Sequence, residues 1–113
     1  MEAEAISTVS EYFARMRARD IGVVDLFHDD ACLVGLGSKR SGRAAILEFY
    51  RDVIERAGPA PRAAGPLLAA GSRVAAEVFI DLPGGSIIHA IDLFHLDEGR
   101  IRSLTYFLAD HAA

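Results

Sequence analysis

The sequence predicts an α+β domain in which three helices cover the concave face of one curved, mostly antiparallel sheet. Two observations predict this class. Segments with helical periodicity are confined to the first half of the chain, and the second half alternates strand-like apolar runs with turn residues. Helices that precede a run of long strands are typical of a sheet covered by helices on one face. A chain of 113 residues fits one domain, which we expect to span residues 1–113.

The first helix is expected from Ala3 to Arg19. Its apolar residues recur every three or four positions, as a buried helical stripe requires: Ile6, Val9, Phe13 and Met16. Tyr12 lies on or beside that stripe, so its ring would pack inward and its hydroxyl would need a partner. From this helix alone, we interpret Tyr12 as a core tyrosine with a local hydrogen bond.

Two further helices and a short strand follow. Asp20 is expected to cap a short second helix, and a strand is expected from Ala31 to Leu36. Ser41 precedes the clearest helix, and Gly58–Pro59 ends it. The apolar residues of that helix return at helical spacing: Ile46, Phe49, Tyr50, Val53, Ile54 and Ala57.

The rest of the chain predicts strands separated by turns. We expect strands over Arg62 to Ala70 and Arg73 to Leu82, then a long hairpin from Ser86 to Phe107 with its turn at Asp97–Arg100. Apolar residues occupy both the odd and the even positions of the first hairpin strand, which indicates that both faces of this strand are buried. Asp92 in the middle of it is anomalous, because an unpaired buried carboxylate costs several kcal/mol, on the order of the known buried-ion penalties.

A two-residue turn at Glu98–Gly99 predicts a register in which Asp92 lies opposite Thr105. One face of the hairpin would then line a pocket, with Ala90, Asp92, Phe94, Ser103, Thr105 and Phe107. The other face is too apolar for open water, and we interpret it as a homodimer surface formed by Ile91, Leu93, His95, Arg102, Leu104 and Tyr106.

Composition excludes several classes of function. The net charge of −4 gives no electrostatic reason to expect binding to nucleic acid or to an anionic membrane. No apolar run is long enough to span a bilayer, and the start of the chain is acidic, unlike a signal peptide, so we expect a cytoplasmic protein. Cys32 is the single cysteine, which allows no internal disulfide.

No cofactor or metal is expected. The glycines between Gly35 and Gly42 lack the residues that complete a phosphate-binding or dinucleotide-binding loop. His89 and His95 share a strand face, but six residues of strand separate them by roughly 20 Å, too far to share an ion.

Four segments carry a resemblance to a known superfamily: Tyr12-Phe13-Ala14 before Arg19-Asp20-Ile21-Gly22; Leu26 to Ala31; Arg40 to Ile46 with Glu48-Phe49-Tyr50; and Ala90 to Phe94. The sequence resembles the ketosteroid isomerase branch of the nuclear transport factor 2-like superfamily, which includes the SnoaL-like polyketide cyclases. The resemblance implies a cone-shaped fold, with three helices in a curved mixed sheet, and a homodimer. High Ala, Gly and Arg content further suggests a bacterial source.

The resemblance also implies a site. Ketosteroid isomerase is the established example of a tyrosine and a protonated aspartic acid that form an oxyanion hole, and Tyr12 and Asp92 stand at the matching positions. The isomerase also uses an Asp general base, and Gly35 occupies that position here. Without a proton acceptor the enolisation step is incomplete. The resemblance therefore implies an isomerase-like or cyclase/lyase-like enzyme for an apolar ring-containing substrate, but not an efficient steroid isomerase.

Alternatives remain open. The base could be Glu77 or a histidine, and the expected ligand contacts are Phe13, Met16, Gly35, Phe49, Val53, Phe94, Thr105 and Phe107. The sequence also resembles the limonene-epoxide hydrolase type, but Ala90 and Thr105 stand where that type has an Arg and a second acid. The chain could instead be a non-catalytic, dimeric binding protein for an apolar ligand, with Asp92 held by Tyr12, Thr105 or Arg73. The pKa of Asp92 separates these cases, since a proton donor needs a raised pKa and an Arg-paired carboxylate has a depressed one.

Overall fold

The computed structural model describes residues 2–35 and 37–109. It contains the helices α1 (Glu2–Arg17) and α2 (Arg43–Arg56) and a short 3₁₀ helix, Ile21–Leu26. The seven strands are β1 (Phe27–Gly35), β2 (Ser38–Ser41), β3 (Ala60–Ala63), β4 (Leu68–Ala70), β5 (Arg73–Asp81), β6 (Ile87–Asp97) and β7 (Arg100–Leu108). Leu36, the expected end of the first strand, lies outside the described residues.

The seven strands form one mixed sheet in the order β2-β1-β7-β6-β5-β3, and β4 pairs with the same strand, β5, as β3 does. Only β1 and β7 run parallel, and the other pairs are antiparallel. The sheet is curved and does not close, and three helices accompany it. The α+β class and the cone-shaped fold predicted from the sequence are therefore confirmed.

The local signals of the first half were partly correct. Asp20 caps the 3₁₀ helix, with its carboxylate accepting a 2.8 Å hydrogen bond from the Gly22 amide. Ser41, which the sequence places just before α2, belongs to β2 opposite Cys32, and Gly42 directly precedes the helix without a side-chain cap. Pairing with β1 uses the backbone of Ser41 in a strand, and the positive φ of 91° at Gly42 makes the sharp change of direction into α2.

The strand expected from Arg62 to Ala70 is instead two short strands, β3 and β4. Both pair with β5, with Ala63 opposite Val78 and Leu68 opposite Ala75. Between the two strands, the chain leaves the edge of the sheet. Gly65 and Pro66 lie in this interval, and neither residue type favours a continuous strand.

The hairpin register is the main correction. The Glu98–Gly99 turn is where it was predicted, with Asp97 opposite Arg100 and Leu96 opposite Ile101. Arg102 is then an extra residue, a β-bulge, so His95 lies opposite Ser103. Beyond it Asp92 lies opposite Tyr106, and the predicted pairing with Thr105 was wrong.

A one-residue shift reverses the direction of every following side chain, because successive side chains of a strand alternate between faces. Leu104, Tyr106 and Leu108 therefore share the inward face of the sheet with Ala90, Asp92 and Phe94. Ser103, Thr105 and Phe107 lie on the outward face with Ile91, Leu93 and His95.

The core beneath the sheet is rich in aromatic rings. Tyr12 makes edge-to-face contacts with Phe13, Phe27 and Phe94, at centroid distances of 5.3, 6.3 and 5.2 Å. Such pairs add about 0.5–1.5 kcal/mol each beyond the burial of their surface. The contacts with Phe27 and Phe94 hold α1 against β1 and β6 and help to orient the Tyr12 ring.

No helix among residues 2–35 and 37–109 combines the length and apolarity needed to cross a bilayer.

Candidate functional site

A cavity of about 290 Å³ opens between the two α-helices and the inward face of the sheet. Most of its lining is apolar and comes from α1, α2, strands β5 to β7 and the residue that follows β5: Met16, Phe49, Val53, Ile80, Leu82, Ile88 and Leu108. Four polar side chains also line it: Tyr12, Tyr50, Asp92 and Tyr106. A mostly apolar cavity with a few convergent polar groups is the usual form of a small-molecule site.

The three tyrosine hydroxyls meet in a triangle. The Tyr12 oxygen lies 2.8 Å from that of Tyr50 and 3.0 Å from that of Tyr106, and the oxygens of Tyr50 and Tyr106 are 2.5 Å apart. α1, α2 and β7 each supply one of them. The chain contains only these three tyrosines, so all of its phenolic hydroxyls converge here.

The triangle fixes the number of available protons. Each tyrosine hydroxyl has one proton to donate and two lone pairs. Three mutual hydrogen bonds require all three protons and leave each oxygen with one free lone pair. A tyrosine can therefore donate a hydrogen bond to a ligand oxygen only if one of the three mutual hydrogen bonds opens.

Burial keeps these hydroxyls protonated. Tyr12 and Tyr50 are only 2% and 1% exposed. Desolvation by burial is the main cause that raises the pKa of Tyr12, Tyr50 and Tyr106 above their ordinary value, and the nearby Asp92 raises each further. All three are therefore neutral hydrogen-bonding groups near neutral pH.

Asp92 differs from the other described carboxylates because it is buried. It is the only charged-type side chain in the buried core of the described residues, at 1% exposure. Its Oδ1 atom is buried and accepts no hydrogen bond from the described residues. Desolvation by burial raises the pKa of Asp92 to about 7, so near neutral pH it is a carboxylic acid about as often as a carboxylate.

Comparison with known proteins shows the family of this chain. The family model described as SnoaL-like domain matches residues 9–104. The chain belongs to the SnoaL-like domain family. No protein of curated function matches this SnoaL-like domain.

Solved structures show the same fold. A candidate ketosteroid isomerase from Kribbella flavida is 17% identical, with a TM-score of 0.86 over 99% of this chain and 82% of its own. An LEH-like epoxide hydrolase from M. tuberculosis is 23% identical, with a TM-score of 0.85 over 95% of this chain and 84% of its own. A candidate polyketide cyclase from Sinorhizobium meliloti is 20% identical, with a TM-score of 0.80 over 88% of this chain and 93% of its own. These similarities establish the nuclear transport factor 2-like fold and leave the reaction open.

The SnoaL-like domain brings five of the predicted site residues to the cavity: Tyr12, Met16, Phe49, Val53 and Asp92. Phe13 and Phe94 do not line it, because they pack against each other in the core with a centroid distance of 5.8 Å. Thr105 and Phe107 do not line it either. The bulge at Arg102 turns both to the outward face of the sheet.

Gly35 lies behind Tyr106 and does not line the cavity. A Cβ atom at this position would be 2.9 Å from the Cβ and 3.1 Å from the carbonyl oxygen of Tyr106. The φ angle of Gly35 is 142°, which also disfavours any other residue. The position that holds the general base in ketosteroid isomerase, as inferred from the resemblance, therefore has no room for a carboxylate here.

The proposed substitutes for that base and the proposed partners of Asp92 lie elsewhere. Glu77 is on the outward face, where its carboxylate is 2.7 Å from the ring nitrogen of His89. Arg73 lies opposite His95 on that same face. Asp92 makes no hydrogen bond to Tyr12, Thr105 or Arg73, so it is not held as a paired structural carboxylate.

Tyr50 and Tyr106 are the functional candidates that sequence reasoning missed. Tyr50 was assigned only to the buried stripe of α2, and Tyr106 to the outward face. One signal in the sequence could have identified them: the three tyrosines lie in three elements that pack together in the fold implied by the resemblance. Among the described residues, no group of three His, Cys, Asp or Glu side chains is placed to hold a metal ion.

Proposed function

We propose that this SnoaL-like domain is a small-molecule enzyme that binds an apolar, ring-containing ligand and acts on one of its oxygens by hydrogen bonding and proton donation. The observation that carries the proposal is Asp92. An acid without a hydrogen-bond partner, held beside three hydroxyls in an apolar cavity, is unfavourable for folding alone. Such arrangements are characteristic of sites that need a perturbed pKa.

The ligand oxygen would be bound by the acid and the triangle together. Protonated Asp92 has an O–H to donate, and the Oδ1 atom has no competing partner among the described residues. Tyr12 or Tyr106 would donate a second hydrogen bond by opening one side of the triangle. A donor placed at a developing oxyanion contributes about 2.7–4 kcal/mol to the rate in other enzymes.

The charge state of Asp92 suits this role near neutral pH. A general acid is most effective when its pKa is close to the working pH, and burial raises the pKa of Asp92 to about 7. Below that pH it is a donor. Above it, the carboxylate would repel an anionic ligand oxygen, so binding of an enolate-like or phenolate-like group should weaken as the pH rises.

The reaction class supported best is isomerase-like or cyclase-like proton transfer to oxygen, without efficient isomerisation of steroids. Among residues 2–35 and 37–109, the titratable side chains that line the cavity are three tyrosines and Asp92. The described part of the lining holds no second carboxylate and no histidine that would take a proton from carbon. The epoxide hydrolase pattern is weakened for the same reason.

A described lining without a second carboxylate or a histidine also supports the second candidate function, a non-catalytic protein that binds an apolar ligand in the same cavity. Both candidates require that Asp92 and Tyr12 contact the ligand oxygen. Only the enzyme would convert the ligand to a product, whereas both candidates predict the same binding contacts.

A naphthol series of increasing acidity tests the proposal, since a phenolate oxygen resembles an enolate oxygen. We expect affinity, measured by fluorescence, to depend on naphthol acidity in the wild type. Asp92→Asn and Tyr12→Phe should each weaken binding by roughly tenfold to a hundredfold. Thr105→Ala, on the outward face, is the matched control and should leave affinity unchanged. Binding that ignores both Asp92 and Tyr12, or no binding at all, would refute the proposed site.

We further propose that the partner of the outward face is a second copy of this chain. Two large apolar side chains on adjacent strands support it: Ile91 and Phe107 lie directly opposite each other and are 37% and 52% exposed. An apolar patch of this kind on the outward face of a sheet is suited to a two-fold interface, in which the same surface is used twice.

A further inference from the structure

We propose that Tyr106 determines the size of the ligand, limiting it to one or two fused rings that carry an oxygen function. This inference rests on the proposed function, because it concerns the same cavity. The inference adds to the proposed function a class of substrate and the residue that selects this class.

The cavity volume sets the upper limit. A dry cavity of about 150 Å³ accepts a benzene molecule, and typical ligand pockets span about 300–1,000 Å³. The cavity here, about 290 Å³, is at the lower end of that range and close to twice the benzene-sized one. By comparison with the benzene-sized cavity, this volume matches two fused six-membered rings better than a four-ring skeleton.

Tyr106 forms the wall between the cavity and β1. Its ring cannot retreat from a larger ligand, because its two ends are fixed in different ways. Tyr106 lies so close to Gly35 that a Cβ atom added to the glycine would be 2.9 Å from the Tyr106 Cβ and 3.1 Å from its carbonyl oxygen. The hydroxyl is bound by Tyr12 and Tyr50, which are both almost fully buried.

Removal of the ring would extend the cavity towards β1. Gly35 has no side chain that could fill the space, and its backbone is already in contact with Tyr106. The Arg102 bulge and Gly35 therefore work together: the bulge turns Tyr106 inward, and the glycine gives it room.

Four phenolic ligands of increasing size test the inference: phenol, 2-naphthol, a three-ring anthrol and a four-ring phenolic steroid. Affinities are measured by fluorescence or calorimetry for the full chain and for Tyr106→Ala, Tyr106→Phe and Thr105→Ala. The wild type should prefer 2-naphthol and bind the three-ring and four-ring ligands at least about tenfold more weakly. Tyr106→Ala should reverse the preference between two and three rings.

The two controls separate size from hydrogen bonding. Tyr106→Phe keeps the ring, so the order of preference should stay as in the wild type while all affinities fall together. Thr105→Ala changes the neighbouring residue on the outward face and should change nothing. If Tyr106→Ala does not fold, as judged by circular dichroism, Tyr106→Leu provides a smaller enlargement with the same expected direction.

The outcomes are distinct. A wild type that binds the four-ring ligand as tightly as 2-naphthol overturns the size limit. So does an unchanged order of preference in Tyr106→Ala or its Leu replacement, while naphthol binding that still depends on Asp92 and Tyr12 leaves the proposed function standing. Failure of all four ligands to bind overturns both proposals.

Discussion

The two faces of the hairpin formed by β6 and β7 place the same residue types in opposite situations. Asp92 on the inward face is buried without a partner, and burial raises its pKa to about 7. Asp97, five residues later on the same strand, is partly exposed and accepts a 2.7 Å hydrogen bond from Arg102, which lowers its pKa. The pKa of an aspartate in a strand is therefore decided by the face it occupies and by the partner found there.

Phenylalanine shows the same contrast. Phe94 is fully buried against Tyr12 and Phe13, whereas Phe107 is more than half exposed. One extra residue, Arg102, separates the two outcomes, since it determines which face the second half of β7 presents. Four experiments test this contrast between the faces.

The largest effect is expected from deletion of Arg102. Without the bulge, Ser103, Thr105 and Phe107 would turn into the core and Leu104 and Tyr106 would turn out. We expect loss of the cooperative unfolding transition, measured by circular dichroism in urea. Arg102→Ala is the control: it keeps the extra residue, loses exposed ion pairs to Asp30 and Asp97, and should still unfold cooperatively. A deletion variant with near-native stability would show that the register is not set by this residue.

The second comparison is between Phe94→Ala and Phe107→Ala. The first removes a buried ring and leaves a cavity, so the free energy of unfolding should fall by about 3–5 kcal/mol. The second removes an exposed ring and should change it by no more than about 0.5 kcal/mol at concentrations where the chain is monomeric. Urea denaturation measures both, and equal losses would contradict the assigned faces.

The third comparison uses pH. The raised pKa of Asp92 means that the folded state binds its proton more tightly than the unfolded state, whose value is near 3.8. Its contribution to stability is full below about pH 4, falls as the pH rises and levels off above about pH 7. Relative to the wild type, Asp92→Asn should gain up to about 4 kcal/mol in free energy of unfolding between pH 4 and pH 8.

Asp97→Asn should show the opposite sign and a smaller effect. Its pKa is lowered by Arg102, so its contribution is present above the unfolded pKa and is lost as the pH falls through the folded pKa. Urea denaturation at several pH values measures both variants against the wild type. A stability difference for Asp92→Asn that does not vary with pH would show that Asp92 is not the buried acid inferred here.

The smallest effect concerns association. Phe107→Asp places a charge in the middle of the proposed dimer surface and should raise the dimer dissociation constant by about tenfold or more in analytical ultracentrifugation. Leu68→Asp changes another exposed apolar residue, on β4, and serves as the control. A monomeric wild type, or equal effects of the two substitutions, would rule out the outward face of the hairpin as the interface.

Much of this protein follows from its sequence. Helical periodicity placed α1 and α2, Asp20 capped the 3₁₀ helix, and Glu98–Gly99 made the hairpin turn, because each depends on residues close together in the chain. Asp92 was identified as anomalous for the same reason, since an acid in an apolar strand is visible without any tertiary information.

Only the tertiary structure decided which side chains meet at the site. The bulge at Arg102 has no local sequence signal, yet it exchanged Thr105 and Phe107 for Tyr106 and Leu108 on the inward face. The resemblance places Gly35 at the position of the catalytic base, but in the structure Gly35 leaves room for Tyr106. A strand register is set by hydrogen bonds and packing between distant segments, and the alternation of side chains turns a one-residue difference into a different site.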